Sequence, residues 1–192
     1  MNHIRWLWII IGFMLILTLF LVYQMYIVSV AIDELLKLKP ILQELYDIEQ
    51  EVKEVSGQDT ATCREVALNI LACQQRYPKS PLSFKLACLR QESSFRIDAV
   101  GPCGEQGLTQ IYYLTWHYCH PKGSYYDWHD TLPFGFQLMD EYWIKCDKNA
   151  KTAAMMYNGG PGIMHRSEQA IAMASRHGRR VNSYYEQYRQ TI

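Results

Sequence analysis

The chain has 192 residues, enough for one ordinary domain with appended segments. Its 19 basic and 19 acidic side chains leave no formal net charge, which argues against a nucleic-acid partner, because such proteins usually carry a basic face. Hydrophobic residues make up 49% of the chain, and the first thirty positions hold a disproportionate share of them.

An apolar segment without a charged side chain extends from Trp6 to Ile32. About twenty apolar residues cross a bilayer as a helix, so residues 1–32 are predicted to form a transmembrane signal anchor. Arg5 precedes the segment and Asp33 follows it. The positive-inside rule then predicts a cytoplasmic N-terminus and places the remaining chain in a periplasm-like compartment. A cleaved signal peptide is the alternative, although its apolar core would be only about 7–15 residues long.

A charged, helix-favouring connector is predicted over residues 33–59. Apolar side chains recur in it at spacings of three and four residues, namely Leu38, Ile41, Leu45, Ile48, Val52 and Val55. This pattern is typical of a short heptad seam. Two interpretations are open for residues 38–55. The stripe mediates self-association, as a homo-oligomer or within an envelope or virion assembly, or it packs on the protein's own globular domain.

The globular domain is predicted over residues 60–192. Its fold class is predicted to be mainly α, because no strand-like alternation of useful length occurs, and a small β-hairpin near the loops is the most β structure expected. Helices are predicted at residues 62–75, 82–92, 132–146, 150–157 and 163–175. Ser80 is predicted to cap the second of these, and Gly178 to follow the end of the last. The polar tail 179–190 is assigned no helix.

Six cysteines follow the apolar segment: Cys63, Cys73, Cys88, Cys103, Cys119 and Cys146. An even number in an exported domain predicts disulfides, with free buried thiols as the alternative. A metal site would have to draw on four neighbouring side chains, His117, Cys119, His120 and His129. Their spacing matches no common zinc motif, so no metal and no cofactor is expected.

Three ordered motifs in the globular domain together indicate a polysaccharide-cleaving site. They are the pair Glu92-Ser93 at a helix end, the loop from Gly104 to Gln110, and the turn over residues 156–160, which reads Met-Tyr-Asn-Gly-Gly. At similar separations they resemble the Glu-Ser pair, the G-x-x-G-L-M-Q loop and the A-Y-N-A-G turn of the lytic transglycosylases of the soluble-transglycosylase type. That family has a lysozyme-like fold. Departures from these patterns include Thr109 in place of Met and Gly159 in place of Ala.

The resemblance implies a role for each matching side chain. Glu92 would be the sole catalytic acid and base. The substrate-binding residues would be Ser93, Gln110, Tyr157, Asn158 and Tyr184. Among these, Tyr184 would be the late tyrosine of the family pattern, with its hydroxyl directed toward Glu92.

The resemblance also implies the reaction. Most glycosidases use two carboxylates, and the remaining candidates, Asp98, Glu105 and Asp127, lie in loops without a supporting motif. In the family, the substrate's own C6 hydroxyl replaces water. The bond between N-acetylmuramic acid and N-acetylglucosamine of peptidoglycan is cleaved, and a 1,6-anhydro ring forms without a cofactor.

Two other functions stay open. One is a goose-type muramidase that hydrolyses the same bond with water held by Asp98 or Asp127, and the other is an inactive wall-binding assembly protein. A bacterial envelope machine and a virus that uses the enzyme for entry or lysis are both compatible settings.

Aromatic residues crowd the stretch after Gln110, and they either stack on sugar rings or pack in the core. These are Tyr112, Tyr113, Trp116, Tyr118, Tyr125, Tyr126 and Trp128.

Overall fold

The computed structural model describes residues 2–119 and 123–191. Within these residues the protein is mainly α-helical, as predicted. The helices are α1 (Asn2–Ser56), α2 (Thr60–Arg76), α3 (Leu82–Ser93), α4 (Tyr113–Cys119), α5 (Trp128–Lys145), α6 (Ala150–Gly159) and α7 (Glu168–Thr191), with a 3-10 turn at Ile163–His165. Isolated antiparallel bridges join Gln106 to Val100 and to Ile111. They lie in the loop region, where the sequence predicted at most a small β-hairpin.

The chain divides into two compact units, one ending at Glu44 and the other spanning Leu45–Ile192. The first unit consists of the N-terminal part of α1. Helix α1 is long and apolar enough to cross a membrane: its most apolar 18-residue window has a mean hydropathy of 2.2 and no buried side chain. Pro40 lies inside the helix without ending it.

The C-terminal part of α1 belongs to the core of the second unit. Ile48 and Val52 are completely buried there, and Leu45 and Val55 pack against the same core. Ile41, by contrast, is 48% exposed. From residue 45 onward, therefore, the apolar stripe packs on the protein's own globular domain, which was the second of the two interpretations.

Polar contacts also join this part of α1 to other helices. Glu49, itself buried, accepts a hydrogen bond from the Arg64 guanidinium of α2 at 2.9 Å. Glu51 accepts one from Arg90 of α3 at 2.8 Å and one from the Tyr188 hydroxyl of α7 at 2.6 Å. The end of α1 is thus connected to three helices of the globular domain.

Helix α3 begins beside a buried ion pair. Ser80 was predicted to cap it, and this was wrong: Pro81 is the N-cap residue and makes no side-chain capping bond. The Ser80 hydroxyl instead donates to Asp140 at 2.6 Å. The same carboxylate pairs with the completely buried Lys85 ammonium at 2.9 Å. Because hydrogen bonds to charged groups are stronger, the Ser80 hydroxyl bonds to Asp140 rather than capping the helix.

Helix α7 continues through Gly178 to Thr191, and the predicted end near Gly178 was wrong. A Cβ atom at this position would lie 2.5 Å from the carbonyl oxygen of Lys151 on α6. Glycine is therefore required by the close packing of α6 against α7 and does not mark a helix end. Because the tail is helical, His177, Val181 and Tyr184 fall on one face of α7.

The prediction of disulfides was wrong, because all six cysteines are free thiols. Four of them are buried and behave as small apolar residues: Cys63, Cys73 and Cys88 lie on helix faces, and Cys146 directly follows α5. Burial raises the pKa of Cys73 to about 11. Cys103 and Cys119 are exposed.

Of the four residues considered for a metal site, His117 and His129 have other partners, and Cys119 is exposed. The ring nitrogens of His129 contact Asp127 and Glu65, each at 2.8 Å. His117 stacks on Tyr113, and His120 lies outside the described residues. Among residues 2–119 and 123–191, no group of three potential ligands is arranged for a metal ion.

Candidate active site

Glu92 lies in the last turn of α3. The residues of this helix from Leu82 to Leu89 are all buried, so its position in the core is fixed by packing. Ser94 and Phe95 then adopt left-handed backbone conformations, with φ of 54° and 58°, and end the helix. The Glu92 side chain is only 12% exposed, so its carboxylate is largely shielded from water.

Helix α7 brings a histidine to this carboxylate. His177 Nε2 lies 3.3 Å from Glu92 Oε1, and the His177 side chain is only 10% exposed. The motifs did not identify this residue. The signal in the sequence was its position three residues after Ala174 and four before Val181, both buried, on the apolar face of a polar helix.

Helix α6 supplies Tyr157, whose hydroxyl donates to the carbonyl oxygen of Thr109 at 2.8 Å. Burial and the nearby negative charge of Glu92 raise the pKa of Tyr157 well above its ordinary value. The same two causes raise the pKa of the Cys88 thiol, one turn before Glu92 on α3. Two neutral groups therefore lie within electrostatic reach of Glu92, and α3, α6 and α7 converge on it.

The loop before α4 is held by the amide of Gln110. Its Nε2 donates to the carbonyl oxygens of Ala99 at 3.1 Å and Gly107 at 2.8 Å, and its own backbone has a φ of 47°. Thr109 is completely buried against Gly135, where an added Cβ would lie 2.4 Å from the threonine methyl group. Gly135 on α5 therefore accommodates the residue that departs from the motif.

The sequence pattern of the family described as Transglycosylase SLT domain matches residues 69–177, more than half of the chain. The chain belongs to this family. It is accordingly a lysozyme-like domain with the family's transglycosylase activity on peptidoglycan. The matched region contains Glu92, the loop and the Tyr-Asn-Gly turn, and it ends at His177. No curated protein matches the chain.

Three further residues predicted for the SLT site occupy distinct positions. The buried Ser93 hydroxyl donates to the carbonyl oxygen of Leu89 at 3.2 Å, one turn back on α3. Asn158 is exposed in the last turn of α6. The Tyr184 ring contacts the Arg90 guanidinium, 4.5 Å from its centroid, two turns beyond His177 on α7. The α7 side chain placed against the Glu92 carboxylate is thus His177, and Tyr184 lies after the matched region.

Three loop carboxylates of the SLT domain have local structural partners. Asp98 pairs with Arg96 at 3.2 Å, and hydrogen bonds from that guanidinium lower its pKa. Asp127 is the N-cap of α5, and hydrogen bonds from the backbone and ring of His129 lower its pKa. Glu105 accepts a bond from the Cys103 backbone at 2.9 Å.

The aromatic residues after Gln110 divide between core and surface. Trp116 and Tyr125 are buried with Ile111 and Phe134 in a small apolar cluster. The Tyr125 hydroxyl donates to the carbonyl oxygen of Ile111 at 2.7 Å. Four others remain exposed, namely Tyr112, Tyr113, Tyr118 and Tyr126.

Proposed function

We propose that the protein is a membrane-anchored lytic transglycosylase that cleaves the β-1,4 bond between N-acetylmuramic acid and N-acetylglucosamine of peptidoglycan, for local degradation of the cell wall. The observation that carries this proposal is the shielded Glu92 carboxylate at the convergence of α3, α6 and α7, inside the matched SLT domain. A carboxylic acid shielded from water can protonate a leaving-group oxygen efficiently.

Glu92 acts twice in this reaction. As an acid it gives its proton to the glycosidic oxygen, and the bond to the muramoyl C1 breaks. As a base it then takes the proton of the muramoyl C6 hydroxyl, whose oxygen closes on C1 and forms the 1,6-anhydro ring. The proton count balances, and neither water nor a cofactor is consumed.

The partners of the other carboxylates favour this reaction over hydrolysis. A muramidase needs a second carboxylate to activate water. Asp98 is paired with Arg96, Asp127 caps α5, and Glu105 stabilises its own loop. With these carboxylates engaged, the substrate's own hydroxyl is the better candidate for the nucleophile.

The substrate-binding roles assigned by the resemblance belong to the proposal. The Tyr157 hydroxyl, fixed by the Thr109 carbonyl, and the exposed Asn158 would contact the sugar on the α6 side of Glu92. Gln110 would act by keeping its loop in shape. Ser93 and Tyr184 would contribute through α3 and α7, and the partners described above make them the more indirect members of the set.

The anchor sets where the enzyme acts. The apolar part of α1 would span the cytoplasmic membrane at residues 6–32, with the N-terminus in the cytoplasm and the SLT domain on the side of the wall. Cys103, an exposed thiol, allows a direct test. In a Cys119→Ser variant, which lacks the other exposed thiol, a membrane-impermeant maleimide should label Cys103 in intact spheroplasts, with the Cys103→Ser, Cys119→Ser double variant as the control. Labelling that requires lysis would contradict this orientation.

The reaction is tested by digesting purified peptidoglycan with the full-length protein in detergent and weighing the released fragments. The proposal predicts 1,6-anhydro ends, each one water lighter than a hydrolysed end. Hydrated ends would establish the muramidase alternative. Sedimentation of the protein with the wall, without any released fragment, would establish the inactive wall-binding alternative.

A further inference from the structure

His177 Nε2 is the buried side-chain polar atom left without a hydrogen-bond partner among the residues that the structure describes. It lies 3.3 Å from Glu92 Oε1, within ion-pair distance but outside hydrogen-bond geometry. Buried polar atoms are nearly always hydrogen-bonded, so an exception beside the candidate catalytic acid requires an explanation.

Packing keeps the imidazole in this position. Gly178, the next residue, lets α7 approach the Lys151 backbone of α6 more closely than any side chain would allow. Val181, one turn further, is completely buried. Because both neighbours are fixed, His177 stays beside Glu92, and a small movement of the carboxyl suffices to complete the bond.

The other groups near Glu92 cannot serve the same purpose. Cys88 on α3 and Tyr157 on α6 feel its charge, and burial with that charge raises the pKa of both, so they remain neutral near pH 7. The Tyr157 hydroxyl already donates to Thr109. A neutral imidazole carries one N–H that can donate a hydrogen bond, and His177 Nε2 lies 3.3 Å from Glu92 Oε1, which leaves the α7 residue as the available partner.

We propose that His177 is a positioning residue for Glu92, an inference that rests on the proposed function. Its Nε2–H donates to Oε1 and fixes the plane of the carboxyl group. Oε2 is then directed to the substrate, where it gives its proton to the glycosidic oxygen and later receives the proton of the C6 hydroxyl. His177 keeps its own proton throughout.

The kinetic test uses the full-length protein in detergent with soluble peptidoglycan fragments. His177→Phe keeps a ring of similar size and removes the donor, whereas His177→Gln keeps an amide donor. His165→Phe is the control, since His165 is exposed. We expect His177→Phe to lower kcat by about tenfold or more with KM within about twofold, and His177→Gln to recover most of the loss. An unchanged kcat in His177→Phe would overturn the inference.

A second readout does not depend on activity. In a double-mutant cycle, His177→Phe should lower the Tm by about 3 °C more when residue 92 is Glu than when it is Gln. The reason is that only the glutamate leaves a carboxylate against the apolar phenylalanine ring. Additive changes in Tm would overturn the pairing. If the cycle shows coupling but the wild type releases no anhydro product, the pairing stands and the proposed function fails.

Discussion

The two parts of α1, before and after the boundary at Leu45, carry similar apolar side chains in opposite surroundings. Leu35 and Leu36 are 65% and 61% exposed, whereas Ile48 and Val52 are completely buried in the catalytic unit. Periodicity alone is the same in a membrane-proximal helix and in a core helix, so it does not distinguish them. What distinguishes them here is the set of partners, because Glu49 and Glu51 pair with arginines of α2 and α3. Helix α1 therefore ends as part of the core of the second unit.

Truncation should show the largest difference in stability between losing the part of α1 before Leu45 and losing the part after it. A chain that begins at Leu45 keeps the whole second unit and should unfold cooperatively in the absence of detergent. A chain that begins at Thr60 lacks Ile48 and Val52. It should lose at least about 4 kcal/mol of stability, since each buried aliphatic side chain contributes roughly 2 kcal/mol or more. Thermal unfolding followed by circular dichroism compares them, and equal Tm values would contradict this division of α1.

Single substitutions should reproduce the difference on a smaller scale. Ile48→Ala creates a cavity in the core and should cost about 2–5 kcal/mol. Ile41→Ala, at a half-exposed position seven residues earlier on the same helix, should change stability by less than about 0.5 kcal/mol. Urea unfolding in detergent measures both. A comparable loss from Ile41→Ala would show that the stripe before residue 45 also has a packing partner.

Replacing a charged residue of α1 should likewise cost more stability after Leu45 than before it. Glu51→Gln weakens the bonds from Arg90 and Tyr188 and should cost about 1.5–3 kcal/mol, because hydrogen bonds to charged groups are the stronger ones. Glu34→Gln breaks an exposed pair with Lys37 and should have little effect. The free energy of unfolding of the two variants tests this. Equal losses in Glu51→Gln and Glu34→Gln would contradict the difference between the two parts of α1.

Alkaline pH should give the smallest of these effects. Burial and the hydrogen bond to Glu51 raise the pKa of Tyr188. The folded protein then retains this proton at pH values where the unfolded chain has lost it. The associated stability is fully present below pH of about 10 and is lost as pH rises through the folded-state value. The stability of Tyr188→Phe should therefore fall less steeply above pH of about 10 than that of the wild type. Parallel curves would contradict this.

The motifs indicated candidate catalytic and binding residues but not the tertiary contacts that support them. Glu92 and Tyr157 were predicted as site residues because each belongs to a short motif of neighbouring residues near the end of a helix. His177 was not, since Gly178 was interpreted as a helix end. A glycine that ends a helix and a glycine that lets two helices pack closely look identical in the sequence, and only the tertiary structure distinguishes them. Ser80 was misassigned for a similar reason, because its partner Asp140 lies sixty residues away.

The cysteine count misled in a different way. An even number of thiols in an exported chain predicts disulfides, yet four of these thiols are buried, three on helix faces and Cys146 directly after α5, where a small side chain is what packing requires. Four of the connector's apolar residues likewise belong to the core. Both outcomes depend on which helix faces meet, and periodicity within a single helix does not contain that information.

The central claim, that Glu92 is the catalytic acid and base, is tested most directly by replacing it. Release of 1,6-anhydro fragments from peptidoglycan is compared for the wild type, Glu92→Gln and the exposed control Glu186→Gln, with Tm recorded for each. Glu92→Gln should lower the rate by about a hundredfold or more while the protein stays folded, and the control should match the wild type. A folded Glu92→Gln protein with near wild-type release would contradict the account.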